Sequence, residues 1–215
     1  MTQQLSNTCN IENWQWIPSP GLPDEAFLRG KAPMTKQEIR WTLLAMLQIH
    51  PGMTLLDLGC GSGSVTVEMA RMNRSGQVLA LEQKREALEL TRENLQRFAI
   101  KNVTLIEGRG EKEIKDLPLM DRVFIGGAGG ALEEILNQLP EKMKPGGKIL
   151  ITAVTLETMT QAKIRLQSSP FTNLKILQTG ITRYVPRAGY MMAQAENPVT
   201  IFCADLLPAT QPTDT

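Results

Sequence analysis

Three glycines spaced two apart, Gly59, Gly61 and Gly63, constrain the fold of this chain more than any other feature. They sit in Leu55-Leu56-Asp57-Leu58-Gly59-Cys60-Gly61-Ser62-Gly63, after a short apolar segment that reads as a strand and before one that reads as a helix. Glycine at such a bend lets the chain turn tightly and lets its backbone come close to a ligand. In an open α/β sheet a loop of this kind stands at the carboxyl ends of the strands, where ligands bind. The spacing G-x-G-x-G differs from the G-x-G-x-x-G of dinucleotide folds, and the Lys-Ser/Thr ending of a P-loop is missing. A nicotinamide dehydrogenase is therefore disfavoured.

The segments around the loop alternate between strand and helix signals. Thr35-Lys36-Gln37-Glu38 has the form of a capping box, followed by Ile39, Leu43, Met46 and Leu47 at helical spacing, and Pro51-Gly52 stops that helix. Strands are predicted over 54–58, 77–81, 103–106, around 123–125 and over 148–153. Helices are predicted over 64–72, along the face Ala87, Leu88, Leu95 and Phe98, along Leu132, Ile135, Leu136 and Leu139, and over 156–166. Two late strands, 174–184 and 199–204, have no long helix between them, which predicts an antiparallel pair at one edge. The expected fold is α/β, a mostly parallel seven-stranded sheet with an antiparallel edge hairpin and helices on both faces.

The 215 residues fit one domain with length left for an arm and a tail. Residues 1–33 read as an N-terminal arm broken by prolines and glycines, 34–205 as the main domain and 206–215 as a disordered polar tail. Trp14, Trp16 and Phe27 in the arm predict docking onto the domain or onto another subunit. With 23 basic and 22 acidic residues, the chain lacks the basic excess of a non-specific nucleic-acid binder. Cys9, Cys60 and Cys203 form no disulfide framework, and no Cys/His cluster has metal-ligand spacing. No signal peptide or membrane span is evident, so the expected location is the cytoplasm.

Glu82, nineteen residues after Gly63, ends the second predicted strand, where an acid can accept two hydrogen bonds from a ribose diol. Asp57 is spaced to hold the loop or to meet an ammonium group. Together, D-L-G-x-G-x-G and the acid closing the next strand resemble the class I S-adenosylmethionine (SAM)-dependent methyltransferases. In that superfamily the loop after the third strand, here Glu107-Gly108-Arg109-Gly110-Glu111, holds the adenine.

Further segments are similar to the decarboxylating precorrin carbon-15 methyltransferases of cobalamin biosynthesis. They are Gly21-Leu22-Pro23-Asp24-Glu25-Ala26-Phe27, Pro33-Met34-Thr35-Lys36-Gln37-Glu38-Ile39-Arg40, Phe124-Ile125-Gly126-Gly127-Ala128-Gly129-Gly130, Ala153-Val154-Thr155-Leu156-Glu157-Thr158, Gly189-Tyr190-Met191-Met192 and Asn197-Pro198-Val199. The resemblance implies methyl transfer from SAM to ring carbon 15 of a precorrin or cobalt-precorrin, with loss of carbon dioxide from the carbon-12 acetate. The SAM contacts it implies are Thr35, Asp57, the loop Gly59, Cys60, Gly61, Ser62 and Gly63, Glu82 for the ribose, and Gly110 near the adenine. Thr35 also reads as a helix cap, and Arg109-Gly110-Glu111-Lys112 departs from the family's usual D-A-P-E-like run. Family members are commonly homotetramers, which implies the same here.

A polycarboxylate substrate calls for cationic anchors, and Lys36, Arg109 and Arg183 are the candidates. Gly126 and Gly127 open a glycine run suited to a bare cleft wall beside a flat macrocycle. Glu157 is the candidate for steering protonation, against a plain helix-start acid. No catalytic triad is needed, and the single histidine, His50, reads as structural or exposed. Two other readings compete: a SAM-dependent RNA or protein methyltransferase, and a non-catalytic SAM-binding protein. The first lacks an N-P-P-Y-type motif after the fourth strand; the second is opposed by the intact Asp57, glycine loop and Glu82.

Overall fold

The apolar strand segments pair side by side because each is buried on both faces by the helices that connect them. The computed structural model describes residue 14 and residues 17–207. Within it run α1 (Gln37–Leu47), β1 (Thr54–Leu58), α2 (Ser64–Met72), β2 (Gln77–Glu82) and α3 (Arg85–Arg97). They are followed by β3 (Val103–Glu107), α4 (Gly110–Glu113), β4 (Met120–Ile125), α5 (Leu132–Gln138), β5 (Met143–Ala153) and α6 (Leu156–Leu166). Four strands complete the described residues: β6 (Phe171–Thr179), β7 (Thr182–Arg187), β8 (Tyr190–Ala195) and β9 (Val199–Leu206).

Seven strands form one sheet in the order β3-β2-β1-β4-β5-β9-β6. The first five are mutually parallel, and β9 runs antiparallel between β5 and β6. The chain winds outward from β1 to β3 and then returns to place β4 on the other side of β1. That reversal opens a crevice at the carboxyl ends of β1 and β4, where sheets of this kind bind ligands.

Side-chain alternation along the strands assigns the two helical layers. Leu56, Leu58, Val123, Ile125, Ile149 and Ile151 face α5 and α6 in one buried cluster. Leu55, Val78, Phe124 and Leu150 face α1 and α2 in another. Asp57 shares the parity of Leu55 and so points toward α2 rather than α5.

Two late features correct the sequence reading. The segment expected as one strand over 174–184 is split: β6 ends at Thr179, Gly180 follows, and β7 starts at Thr182. β7 then pairs with β8 as a separate two-stranded hairpin that the sequence reading lacked. Its tip, Ala188-Gly189, has φ of 47° and 84°, the left-handed pair that suits a two-residue hairpin turn. β5 also begins earlier than expected, at Met143, because its first residue pairs with Met120 across a register shift.

The expected capping box does not form. α1 starts at Gln37 with Lys36 at the cap position and no side-chain cap bond. Glu38 instead accepts two hydrogen bonds from the Arg183 guanidinium, at 2.7 and 2.5 Å. A charge-assisted pair outcompetes a bond to one backbone amide.

The arm segment docks on the main domain. Leu22, Ala26 and Phe27 are buried with Val67 of α2 and Leu95 of α3, and Trp14 packs against them. Trp16, Cys9 and residues 208–215 of the expected tail lie outside the described residues, whereas Leu206, expected to open that tail, is instead buried as the last residue of β9, paired with Phe171. The fastening is Arg40, which is fully buried. Its guanidinium bonds Glu68 Oε1 at 2.8 Å, Asp24 Oδ1 at 3.1 Å, and the carbonyls of Thr35 and Leu22 at 2.7 and 2.5 Å. It also stacks 4.7 Å from the Phe27 ring centre. The second Glu68 oxygen accepts the Gly21 amide at 2.9 Å. Among the described residues no helix is long and apolar enough to cross a membrane.

Arg40→Met leaves Glu68 and Asp24 as buried carboxylates without their cation, so it should lower unfolding stability by ~3–5 kcal/mol in urea titrations.

Candidate functional site

The loop after β1 is held almost entirely by backbone and by α3. The Gly59 and Cys60 amides donate to the Leu81 carbonyl at 2.8 and 3.2 Å. From α3, Thr91 Oγ1 donates to the Gly61 carbonyl at 2.9 Å, and Asn94 Nδ2 donates to the Ser62 carbonyl at 2.9 Å. Thr91 and Asn94 are fully buried, on the same stripe as Leu88 and Leu95. Two polar residues on an otherwise apolar helix face were the sequence signal for this support, and the sequence reading passed over it.

The glycines answer to contacts on both sides. A Cβ on Gly59 would stand 2.4 Å from the Gly127 carbonyl oxygen, and one on Gly61 would stand 2.9 Å from the Pro33 oxygen. Gly59 also has φ of 75°, a left-handed conformation that disfavours side chains. The loop is therefore sandwiched between the β4 turn and the arm.

Around it opens a cavity of about 1340 Å³. This exceeds the roughly 300–1,000 Å³ of an ordinary small-molecule site. Its walls come from the arm segment 29–36, the ends of β1, β2, β4 and β5, and the start of α3.

Among the expected cofactor contacts, Thr35, Asp57, Gly59, Cys60, Gly61 and Glu82 line this cavity. Gly110 does too, and a Cβ there would meet Ile135 at 2.9 Å and Leu58 at 3.0 Å. Ser62 and Gly63 do not: Ser62 is buried, and Gly63 packs where a Cβ would lie 2.7 Å from a Thr91 methyl. Glu82 is 8% exposed and accepts the Gly61 amide at 3.2 Å and the Lys84 amide at 2.9 Å.

Asp57 is fully buried. One carboxylate oxygen accepts Thr66 Oγ1 at 2.5 Å, and the other, Oδ1, has no hydrogen-bond partner. Burial pushes its pKa up to about 7, opposed by the Thr66 bond and reinforced by repulsion from Glu82. A buried acceptor without a partner on the cavity wall fits a cationic group of a bound ligand, such as an ammonium. Burial likewise raises the Cys60 thiol pKa well above its ordinary value, so it stays protonated beside Thr91.

The candidate substrate residues divide. Lys36, Gly126 and Gly127 line the cavity, and Lys36 stands 3.9 Å from Glu196. Arg109, Arg183 and Glu157 do not. Arg109 pairs with Glu111 at 2.6 Å on the surface. Arg183 is committed to Glu38 and to Glu196, the latter at 3.0 Å, and so fastens β7 to α1. Glu157 is exposed in the first turn of α6, whose cap is the Thr155 hydroxyl. The cavity instead presents Arg29, Lys31, Lys84 and Arg85, which the sequence reading did not single out. They come from two segments distant in sequence, so only folding assembles them.

Comparison with known proteins gives a consistent result. The family model described as "Precorrin methyltransferase domain" matches residues 25–205. A curated relative from Saccharolobus solfataricus, named probable cobalt-precorrin-6B C(15)-methyltransferase (decarboxylating), is 35% identical over 89% of this chain and 98% of its own. The crystal structure of a precorrin-6y C5,15-methyltransferase from Geobacter metallireducens is 36% identical, with TM-score 0.81 over 86% of this chain and 96% of that one. That of a precorrin 8W decarboxylase from Methanobacterium thermoautotrophicum is 34% identical, with TM-score 0.80 over 85% and 98%.

The Asp57 environment has a measurable consequence. Between the ordinary carboxylate pKa and about 7, the folded ligand-free protein keeps a proton that the unfolded chain has released. Raising the pH through this interval therefore favours unfolding. Calorimetric midpoints of the ligand-free protein should fall relative to those of Asp57→Asn as the pH rises from about 5 to about 8. Parallel profiles for the two proteins would contradict it.

Proposed function

The chain belongs to the precorrin methyltransferase family, and from that premise we propose that it methylates carbon 15 of a precorrin and releases the carbon-12 acetate carboxyl as carbon dioxide. The cobalt-bearing form is the substrate that the curated relative's name carries. The carrying observation is the match over residues 25–205, together with a cavity that joins a bare glycine loop to a glycine-lined wall.

In this reading the methyl donor is SAM, which supplies a methyl group on a sulfonium that departs as a neutral thioether. Asp57 receives the ammonium of the donor on its free oxygen, which pulls the carboxyl back to its ionised form. Glu82 takes the ribose hydroxyls, and its existing bonds to the Gly61 and Lys84 amides keep the carboxylate in the wall. Gly110, on the cavity wall, lies near the adenine, and the Thr35 hydroxyl closes the arm side.

The chain has no need of a nucleophile of its own. The conjugated macrocycle provides the carbon that forms the new bond, while the S–CH3 bond breaks. Holding donor and acceptor in line supplies ~7–11 kcal/mol of the barrier reduction. In the decarboxylation the C–C bond to the carboxyl breaks, its electron pair enters the conjugated ring system, and a proton from solvent restores the side chain. His50 is exposed and outside the cavity wall, so it takes no part. Lys36, Arg29, Lys31, Lys84 and Arg85 meet the carboxylates at the rim of the macrocycle.

The same proposal includes a homotetramer in the cytoplasm, with residues 1–33 as arm, the catalytic domain running from 34 to the end of β9, and the residues after it as tail. Supporting the assembly is the β7–β8 hairpin, on which Tyr184, Tyr190, Met191 and Met192 are 66%, 75%, 62% and 50% exposed. Such a cluster on a two-stranded hairpin fits a surface buried between copies.

Incubation with SAM and a carbon-5-methylated precorrin should give a product that has gained one methyl group and lost one carbon dioxide by mass. Methyl gain without carbon dioxide loss would overturn the decarboxylating half. Glu82→Ala should weaken SAM binding in calorimetry by ~1–3 kcal/mol. The double variant Tyr190→Asp, Met191→Glu should sediment as a smaller species than the parent.

A further inference from the structure

We propose that the macrocycle lies with one flat face on a ledge made by the Gly127 backbone and the Val154 side chain, and that Gly127 sets how closely the acceptor carbon approaches the methyl donor. This rests on the function proposed above and names the surface that holds its substrate.

The argument starts from which glycines the fold itself requires. In the run Gly126 to Gly130, Gly129 and Gly130 have φ of 57° and 90°, so their turn accounts for them. Gly126 is hemmed in: a Cβ there would lie 3.2 Å from the Phe124 ring and 3.3 Å from the Gly59 oxygen. Gly127 has neither reason. It is not in the left-handed region, and a Cβ built on it meets nothing within 4 Å. The backbone of Gly127 nevertheless touches the cofactor loop, since its carbonyl oxygen is the atom that a Gly59 side chain would strike. One side of Gly127 thus braces Gly59, and the other faces open cavity.

Beside it stands a second feature without a folding rationale. Val154 lines the cavity and is 64% exposed. β4 and β5 run parallel with Ile125 opposite Ile151, so the Gly126–Gly127 turn and Val154 leave the sheet side by side. An aliphatic group at a cavity mouth gains nothing from water and gains burial when a ligand covers it. A flat conjugated ring matches a bare backbone and an aliphatic shelf, and Arg29, Lys31, Lys36, Lys84 and Arg85 elsewhere in the same lining can meet its carboxylates. A side chain at 127 would lift such a ring off the ledge.

The test compares Gly127→Ala, Gly127→Leu and Val154→Asp with the parent, measuring SAM affinity by calorimetry and turnover of the carbon-5-methylated precorrin. Gly127→Leu should keep the parent's thermal midpoint and SAM affinity but lose about a hundredfold in kcat/KM, because displacing the acceptor by an ångström is enough. Gly127→Ala should fall between the two. Val154→Asp changes an exposed position and should lower kcat/KM about tenfold with SAM affinity unchanged. Parental turnover by Gly127→Leu or Val154→Asp overturns the ledge. Equal loss of SAM affinity and turnover in Gly127→Leu also overturns it, by assigning the glycine to the cofactor loop. A parent protein that binds no SAM would instead sink the methyl-donor reading, a failure seen before any variant is made.

Discussion

Arg40 is the interaction on which the site depends. A guanidinium removed from water is costly, and two carboxylates, two carbonyls and an aromatic face offset that cost. Its partners come from the arm, from the turn before α1 and from α2. Holding them together presses the arm segment 29–36 over the glycine loop, with the Pro33 carbonyl against Gly61. This buried charge cluster anchors one wall of the cavity, together with the Leu28–Asn94 pair and the Arg97 bond to the Ala26 carbonyl.

The opposite wall obeys a different constraint, the close crossing of two backbones at the sheet's switch point. Gly59 and Gly127 approach so nearly that neither strand end can shift without the other. α3 reinforces the loop through Thr91 and Asn94, and Glu82 braces it from β2. Rigid backbone supplies the shape, and few side chains supply chemistry. Such a division suits a reaction in which the reactive groups belong to the two ligands and the protein aligns them. Asp57 is the exception, a buried carboxyl with one oxygen left without a hydrogen-bond partner.

Much of the architecture was legible from the chain. The strand–helix alternation, the glycine loop, the antiparallel edge and the membership of the precorrin methyltransferase family were all readable from residue pattern. The β7–β8 hairpin was not, because the expected late strands covered 174–184 and 199–204 and left β8 (Tyr190–Ala195) without any strand assignment, and nothing local says that this segment pairs apart from the main sheet. Thr35 had every local mark of a cap, yet Glu38 was drawn away by Arg183, a residue far along the chain. Arg183 and Arg109 looked like free cations and are each paired with an acid. Glu157, next to a promising strand end, faces solvent.

Local order, by itself, determined the elements and the loop, since turn geometry, strand alternation and helix periodicity are properties of neighbours in sequence. Only the tertiary structure decided which charges are spent on one another and which line the cavity. It brought Arg29 and Lys31 of the arm to the same cavity as Lys84 and Arg85. It turned Arg40, an unremarkable helix position, into the anchor of the site. Pairing energies depend on distance and burial, and both arise only when segments far apart in the chain come together.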